Sequence, residues 1–147
     1  MIIETAPTLG AALGIAGYAA AFGIGAVFLT AGISKLRNRR VFPGVVANYR
    51  LLPPALVSTV ASLLPPVEVA IGLCLIAGIS LAAIPAAALL LLFAAAMAVN
   101  LRRGRSHIDC GCGRSELRQT LSATLVIRNV VLAALLLPAL GQLPAPG

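Results

Sequence analysis

Tryptophan is missing from this chain, and charge is scarce: 10% of the residues carry it, against about a quarter in ordinary soluble domains. Four Phe and two Tyr give no platform on which bases could stack. The net charge of +7 therefore does not point to nucleic acid, the more so because the basic residues sit in short connections between apolar runs. Three cysteines are too few, and too odd in number, for a disulfide framework.

What remains is apolar. Hydrophobic residues make up 60% of the chain and the mean hydropathy is +1.02, which makes lipid the expected solvent. Thr5 to Ser34 contains no charge, and its glycines would let neighbouring helices approach closely. A helix needs about 20 residues to cross about 30 Å of hydrocarbon, so one span is expected over about 9–33. Residues 35–54 mix arginines with Val, Phe and Leu, too charged to cross and too apolar for a free linker. A short helix at the interface over about 43–50 suits them. Val69 to Leu101 runs uncharged for about 50 Å if helical, which is too long for one crossing. With a break near Gly78-Ile79-Ser80, two spans result, about 54–77 and 81–101. A last span covers about 120–140, after a loop over 102–118. The expected fold is all-α: a single transmembrane domain built as an integral membrane four-helix bundle, with an interfacial helix between its first two spans. Met1-Ile2-Ile3-Glu4 lacks the basic n-region of a secretory signal, so the first apolar run is expected to be retained.

Orientation follows from the basic residues. Lys35, Arg37, Arg39, Arg40 and Arg50 fall in the first connection; Arg102, Arg103, Arg105, Arg114 and Arg118 fall in the third. The amino terminus, second connection and carboxyl tail have none. The positive-inside rule places both basic loops in the cytoplasm of a bacterial inner membrane and both termini outside.

Two charges lie within the apolar spans, Glu68 and Arg128. They reach comparable depth, and an isolated charge there is costly, so the two are expected to face inward and pair, with Asn129 alongside. Such a pair could be a structural clasp or part of a site. Pro65-Pro66 removes two backbone donors just before Glu68, a kink able to wall a polar cavity. Cys74, in an apolar stretch, reads as a small buried hydrophobe first and as a third thiol second.

The segment His107-Ile108-Asp109-Cys110-Gly111-Cys112-Gly113 carries the chemistry-bearing residues. Positive charge from Arg105 and Arg114 stabilises a thiolate relative to its thiol. A Cys-x-Cys disulfide closes only a small strained ring, for which Gly111 supplies backbone freedom, and strained disulfides exchange readily. Metal binding by His107, Asp109, Cys110 and Cys112 is the rival, but the spacing is not that of a zinc site. A basic loop whose cysteines are incidental is the plain alternative.

The segments Gly32-Ile33-Ser34-Lys35-Leu36-Arg37, Tyr49-Arg50-Leu51-Leu52-Pro53, Leu64-Pro65-Pro66-Val67-Glu68, Gly72-Leu73-Cys74-Leu75, Asn100-Leu101-Arg102-Arg103-Gly104-Arg105, Asp109-Cys110-Gly111-Cys112-Gly113 and Arg128-Asn129, in this order, resemble the MauE branch of the MauE/DoxX membrane proteins. The resemblance covers nearly the whole chain. It implies a four-helix inner-membrane protein associated with thiol–disulfide chemistry and with methylamine utilisation through maturation of a disulfide-rich dehydrogenase subunit. On it, Cys110 and Cys112 are the redox pair and a thioredoxin-like protein or disulfide-containing client is the partner. Members often carry Phe after the second cysteine; here Gly113 follows directly. Oxidation of exported clients would want thiols on the outer face, whereas the charge rule puts them inside, so the direction of electron flow stays open. A quinone is a candidate co-substrate that no motif demands, and a homo-oligomer is compatible with the pattern. The competing readings are a non-catalytic membrane assembly factor and a small metal or solute carrier built on the Glu68–Arg128 region.

Overall fold

The computed structural model describes residues 5–105 and 121–137, and among them every regular element is helical. Helix α1 spans Thr5–Arg37, α2 Phe42–Asn48, α3 Pro54–Ile76, α4 Ala83–Arg102 and α5 Ala123–Leu135; a single 3-10 turn, Ser80–Ala82, leads into α4. Segments Gly14–Arg37, Pro54–Ile76 and Ser80–Arg102 are long and apolar enough to cross a membrane, and α5 is a shorter apolar helix.

The surface is the inverse of a soluble protein's. Leu63, Leu73, Leu81, Leu92, Ile127 and Leu137 are exposed, each by more than half, while Lys35, Glu68, Asn100 and Asn129 are buried. An apolar exterior of this extent needs lipid around it. The chain is a multi-pass membrane protein.

Local chemistry sets the helix ends. Pro54 opens α3 at its first turn, where the missing N–H has no partner to lose. Gly78, at φ 85°, closes α3: its N–H donates to the carbonyl of Leu75 (3.1 Å), and the Ile79 N–H donates to that of Cys74 (2.9 Å). Gly104, at φ 73°, closes α4 likewise, with Gly104 N–H to the Leu101 carbonyl at 3.0 Å and Arg105 N–H to the Asn100 carbonyl at 2.9 Å. This paired bonding after a left-handed residue satisfies the last carbonyls of each helix. Helix α3 continues through Pro65 and Pro66 as one element.

The long helices form two antiparallel pairs, α1 with α3 and α4 with α5. In the first pair the backbones nearly touch: a Cβ on Gly72 would sit 2.7 Å from the Gly25 carbonyl oxygen, and one on Gly25 would sit 2.9 Å from that of Gly72. About two turns closer to the basic end, Gly32 lies against Pro65 and Val69. Only glycine permits such an approach.

The pairs meet in a core of Ala21, Ile24, Phe28, Ile71, Leu75, Ala82, Ala83, Ala86, Leu90, Ala133 and Leu136, near the Gly78 turn. A second cluster, Met97, Leu121 and Leu125 with Tyr49, Phe93, Leu101 and Val126, lies toward the other end. There the Arg103 guanidinium donates to the Arg50 carbonyl at 3.4 Å, so the first and third connections share one end of the molecule. Exposed Arg37, Arg39, Arg40, Arg50, Arg102 and Arg103 make that end strongly basic.

Candidate functional site

The first expected span stops before Lys35, but α1 runs on to Arg37, and this changes the partner of Glu68. Lys35 lies in the last turn of α1, three residues after Gly32, which packs against α3. Its Nζ donates to Oε1 of Glu68 at 2.7 Å and to Oε2 at 2.8 Å. Both side chains are buried, by 93% or more. The pairing of Glu68 with Arg128 expected from the sequence is therefore incorrect. A cation at the end of a helix is also favoured by the peptide dipoles, which lets α1 continue past its first charge.

Two rings flank the ammonium. Nζ lies 5.5 Å from the centroid of Phe42, at the start of α2, and 5.3 Å from that of Phe93 on α4. Both distances fall within the range where the negative face of a ring attracts a cation. Four elements thus converge on Lys35: its own helix, the carboxylate of α3 and one ring each from α2 and α4.

Arg128, on α5, is exposed and donates from Nε and Nη2 to Oδ1 of Asn129, at 3.3 and 3.2 Å. Asn129 itself is buried. Glu68 is the sole acidic residue among those described, and Lys35 occupies it, so Arg128 has no carboxylate partner there. Lys35, Glu68, Arg128 and Asn129 nonetheless line one cavity of about 320 Å³, set between the two helix pairs on the basic side of the main core. The rest of its wall is apolar apart from Tyr49, with Val27, Phe28, Val46, Leu52, Val60, Leu64, Leu90 and Leu132 contributing.

Arg105 is held at the end of α4, its Nη1 donating to Oδ1 of Asn100 at 3.1 Å; Asn100, fully buried, donates in turn to the Ala96 carbonyl at 3.0 Å. His107, Asp109, Cys110, Gly111, Cys112 and Arg114 lie outside the described residues. Their two flanks, Arg105 and Leu121, are anchored at the basic end, Arg105 to Asn100 and Leu121 in the cluster with Met97. Cys74 is half-buried against the main core, twenty residues along α3 from Pro54, or about 30 Å at 1.5 Å per residue. Among the described residues no group of three or more His, Cys, Asp or Glu side chains could hold a metal ion.

Sequence reading missed Lys35 and its two rings. The available signal was that the connection's single lysine follows Gly32 by three residues, on the face a close helix crossing would use.

Residues 13–141 match the sequence profile of a family described as methylamine utilisation protein MauE. A methylamine utilization protein MauE from Paracoccus denitrificans is 51% identical over 121 residues, covering 81% of this chain and 65% of that protein. The protein of the same name from Paracoccus versutus is 48% identical over 124 residues, 83% of this chain and 67% of its own length. That from Methylorubrum extorquens is 46% identical over 106 residues, 71% and 57% respectively. The chain thus spans about two thirds, or less, of the length of these curated relatives. No solved structure matches it.

Proposed function

The chain belongs to the MauE family, and from that premise we propose that it is a membrane thiol–disulfide redox protein serving methylamine utilisation, exchanging electrons with a partner through Cys110 and Cys112. The four apolar helices form a membrane-spanning bundle, α2 lies at the interface, and both basic connections face the cytoplasm.

The observation that carries this reading is the anchoring of the cysteine segment's flanks. Gly104 closes helix α4, and Asn100 fixes Arg105 two residues before His107. Arg103 and Arg50 add charge at the same end. Thiols close to positive charge are favoured as thiolates, the nucleophilic form, and the sequence puts Arg105 five residues before Cys110 and Arg114 two residues after Cys112.

The exchange is a two-electron step. One cysteine thiolate attacks a partner disulfide, forming a mixed disulfide and releasing one partner thiolate. The second thiolate then attacks the first cysteine's sulfur, closing the Cys110–Cys112 bond and releasing the partner's other thiolate. The partner is reduced and the pair oxidised; the reverse sequence oxidises the partner. The partner is a thioredoxin-like protein or a disulfide-containing client.

Single substitutions Cys110→Ser and Cys112→Ser test the scheme, because removal of the resolving cysteine stalls the reaction at the mixed disulfide. One of the two is expected to accumulate a reductant-sensitive adduct in cells, and the double serine variant to lose client maturation. Full maturation with the double variant would leave a non-catalytic assembly role instead.

A further inference from the structure

The cavity between the helix pairs holds two cations and one carboxylate. Lys35 and Glu68 satisfy each other, so neither calls for a ligand. Arg128 does. Among the described residues its hydrogen-bond partner is a neutral amide, and it sits at the cavity's rim on a helix whose neighbours Ile127, Val130 and Val131 are all exposed. It shares the cavity with Phe93 and Ala96, six to nine residues before Arg102 on α4. On its own helix Arg128 lies five residues past Ala123, about 8 Å in from the start of α5 at 1.5 Å per residue. A guanidinium at such depth in a lipid-facing wall is costly without an anion, and intramembrane charges of this kind mark binding sites.

The cavity suits a particular counter-ion. Its volume of about 320 Å³ falls within the range of small-molecule sites, and Leu64, Leu90 and Leu132 offer an apolar bed. Exposed Leu92 lies on its wall with Arg128, so the rim opens toward the lipid. An anion without an alkyl chain would leave that apolar bed unfilled.

We infer that this cavity binds a membrane-soluble amphiphile with an anionic head, its carboxylate or phosphate paired with Arg128 and its alkyl tail lying among the leucines. Arg128 supplies planar donors that suit either head. Asn129 holds the guanidinium at the rim through Oδ1. The site does not depend on the cysteines, so its failure would leave the redox reading standing.

The experiment uses the full chain in phosphatidylcholine nanodiscs. Since the chain has no tryptophan, Val126→Trp introduces one indole beside the cavity without lining it. Dibrominated stearate is the quenching probe, and dibrominated stearyl alcohol is its neutral control for ordinary partitioning. Quenching by the acid is expected to saturate, with half-effect at a concentration about tenfold or more below that of the alcohol. In Arg128→Gln the acid falls to the level of the alcohol, and Arg128→Lys restores part of the difference. Ala96→Phe, which fills the cavity and leaves the charge, also abolishes saturation. Competition by unlabelled stearate or by phosphatidylglycerol identifies whether a free acid or a phospholipid is preferred, and either sustains the inference. Equal quenching by acid and alcohol, or undiminished saturation in folded Arg128→Gln, overturns it.

Discussion

The ammonium of Lys35 bridges both carboxylate oxygens of Glu68, at 2.7 and 2.8 Å, across the interface of α1 and α3. Burial makes this pair unforgiving of single changes. Removing one partner strands a charge away from water, which costs about 3–5 kcal/mol in buried pairs. Lys35→Met and Glu68→Leu should each destabilise the protein by that order in denaturant unfolding from mixed micelles, and the double variant should recover much of the loss. Arg128→Gln should show no coupling to Glu68→Leu, because Arg128 is not its partner.

The α1–α3 crossing depends on glycine at two facing positions. Gly72→Ala would put a Cβ 2.7 Å from a backbone oxygen, whereas one on Gly23 meets nothing within 4 Å. Overpacking of this kind costs about 1–3 kcal/mol, so Gly72→Ala should unfold earlier. Gly23→Ala should be neutral or slightly stabilising, since alanine is the better helix former by about 1 kcal/mol. Unfolding midpoints of the two variants against the parent chain provide the check.

Gly104 has open space around it but a left-handed backbone. Gly104→Ala therefore introduces strain without a clash, about 1 kcal/mol. It should also loosen the hold on Arg105 next to the cysteine segment. The expected outcome is a small fall in the unfolding midpoint with a larger fall in the thiol exchange rate, read by quenched-flow alkylation.

Arginine at the loop flanks is expected to govern thiol reactivity. Arg105→Gln and Arg114→Gln should slow alkylation of Cys110 and Cys112 by iodoacetamide at neutral pH. Raising the salt should slow the parent chain more than the variants, because screening removes a field the variants already lack. Cys74, set in the apolar core some 30 Å along α3 from the basic end, should not respond.

Much of the helical layout was readable from the chain because lipid imposes lengths. The expected 54–77 meets an observed Pro54–Ile76, and the break expected at Gly78-Ile79-Ser80 is the capped turn. Helix ends near charge were less readable. Lys35 looked like the start of a loop because a lone cation ends an apolar run, yet a carboxylate on the facing helix draws it into the bundle. Which partner a buried charge takes depends on how each helix is rotated about its axis. Here that rotation is set by the Gly25–Gly72 approach, a contact between residues 47 apart in the chain. Depth alone matched Glu68 with Arg128; rotation matched it with Lys35. The cavity was foreshadowed by Pro65-Pro66 beside Glu68, but its apolar wall is assembled from five helices that no local pattern connects.

The most direct measurement is the oxidation state of Cys110 and Cys112 in the native membrane, by acid quenching, alkylation and intact-mass analysis before and after reductant. The redox account predicts a population lighter by two alkyl groups before reduction, converted by reductant to one alkylated at both, while Cys74 stays constant. Two cysteines that remain alkylated as thiols under both oxidising and reducing challenge would contradict it.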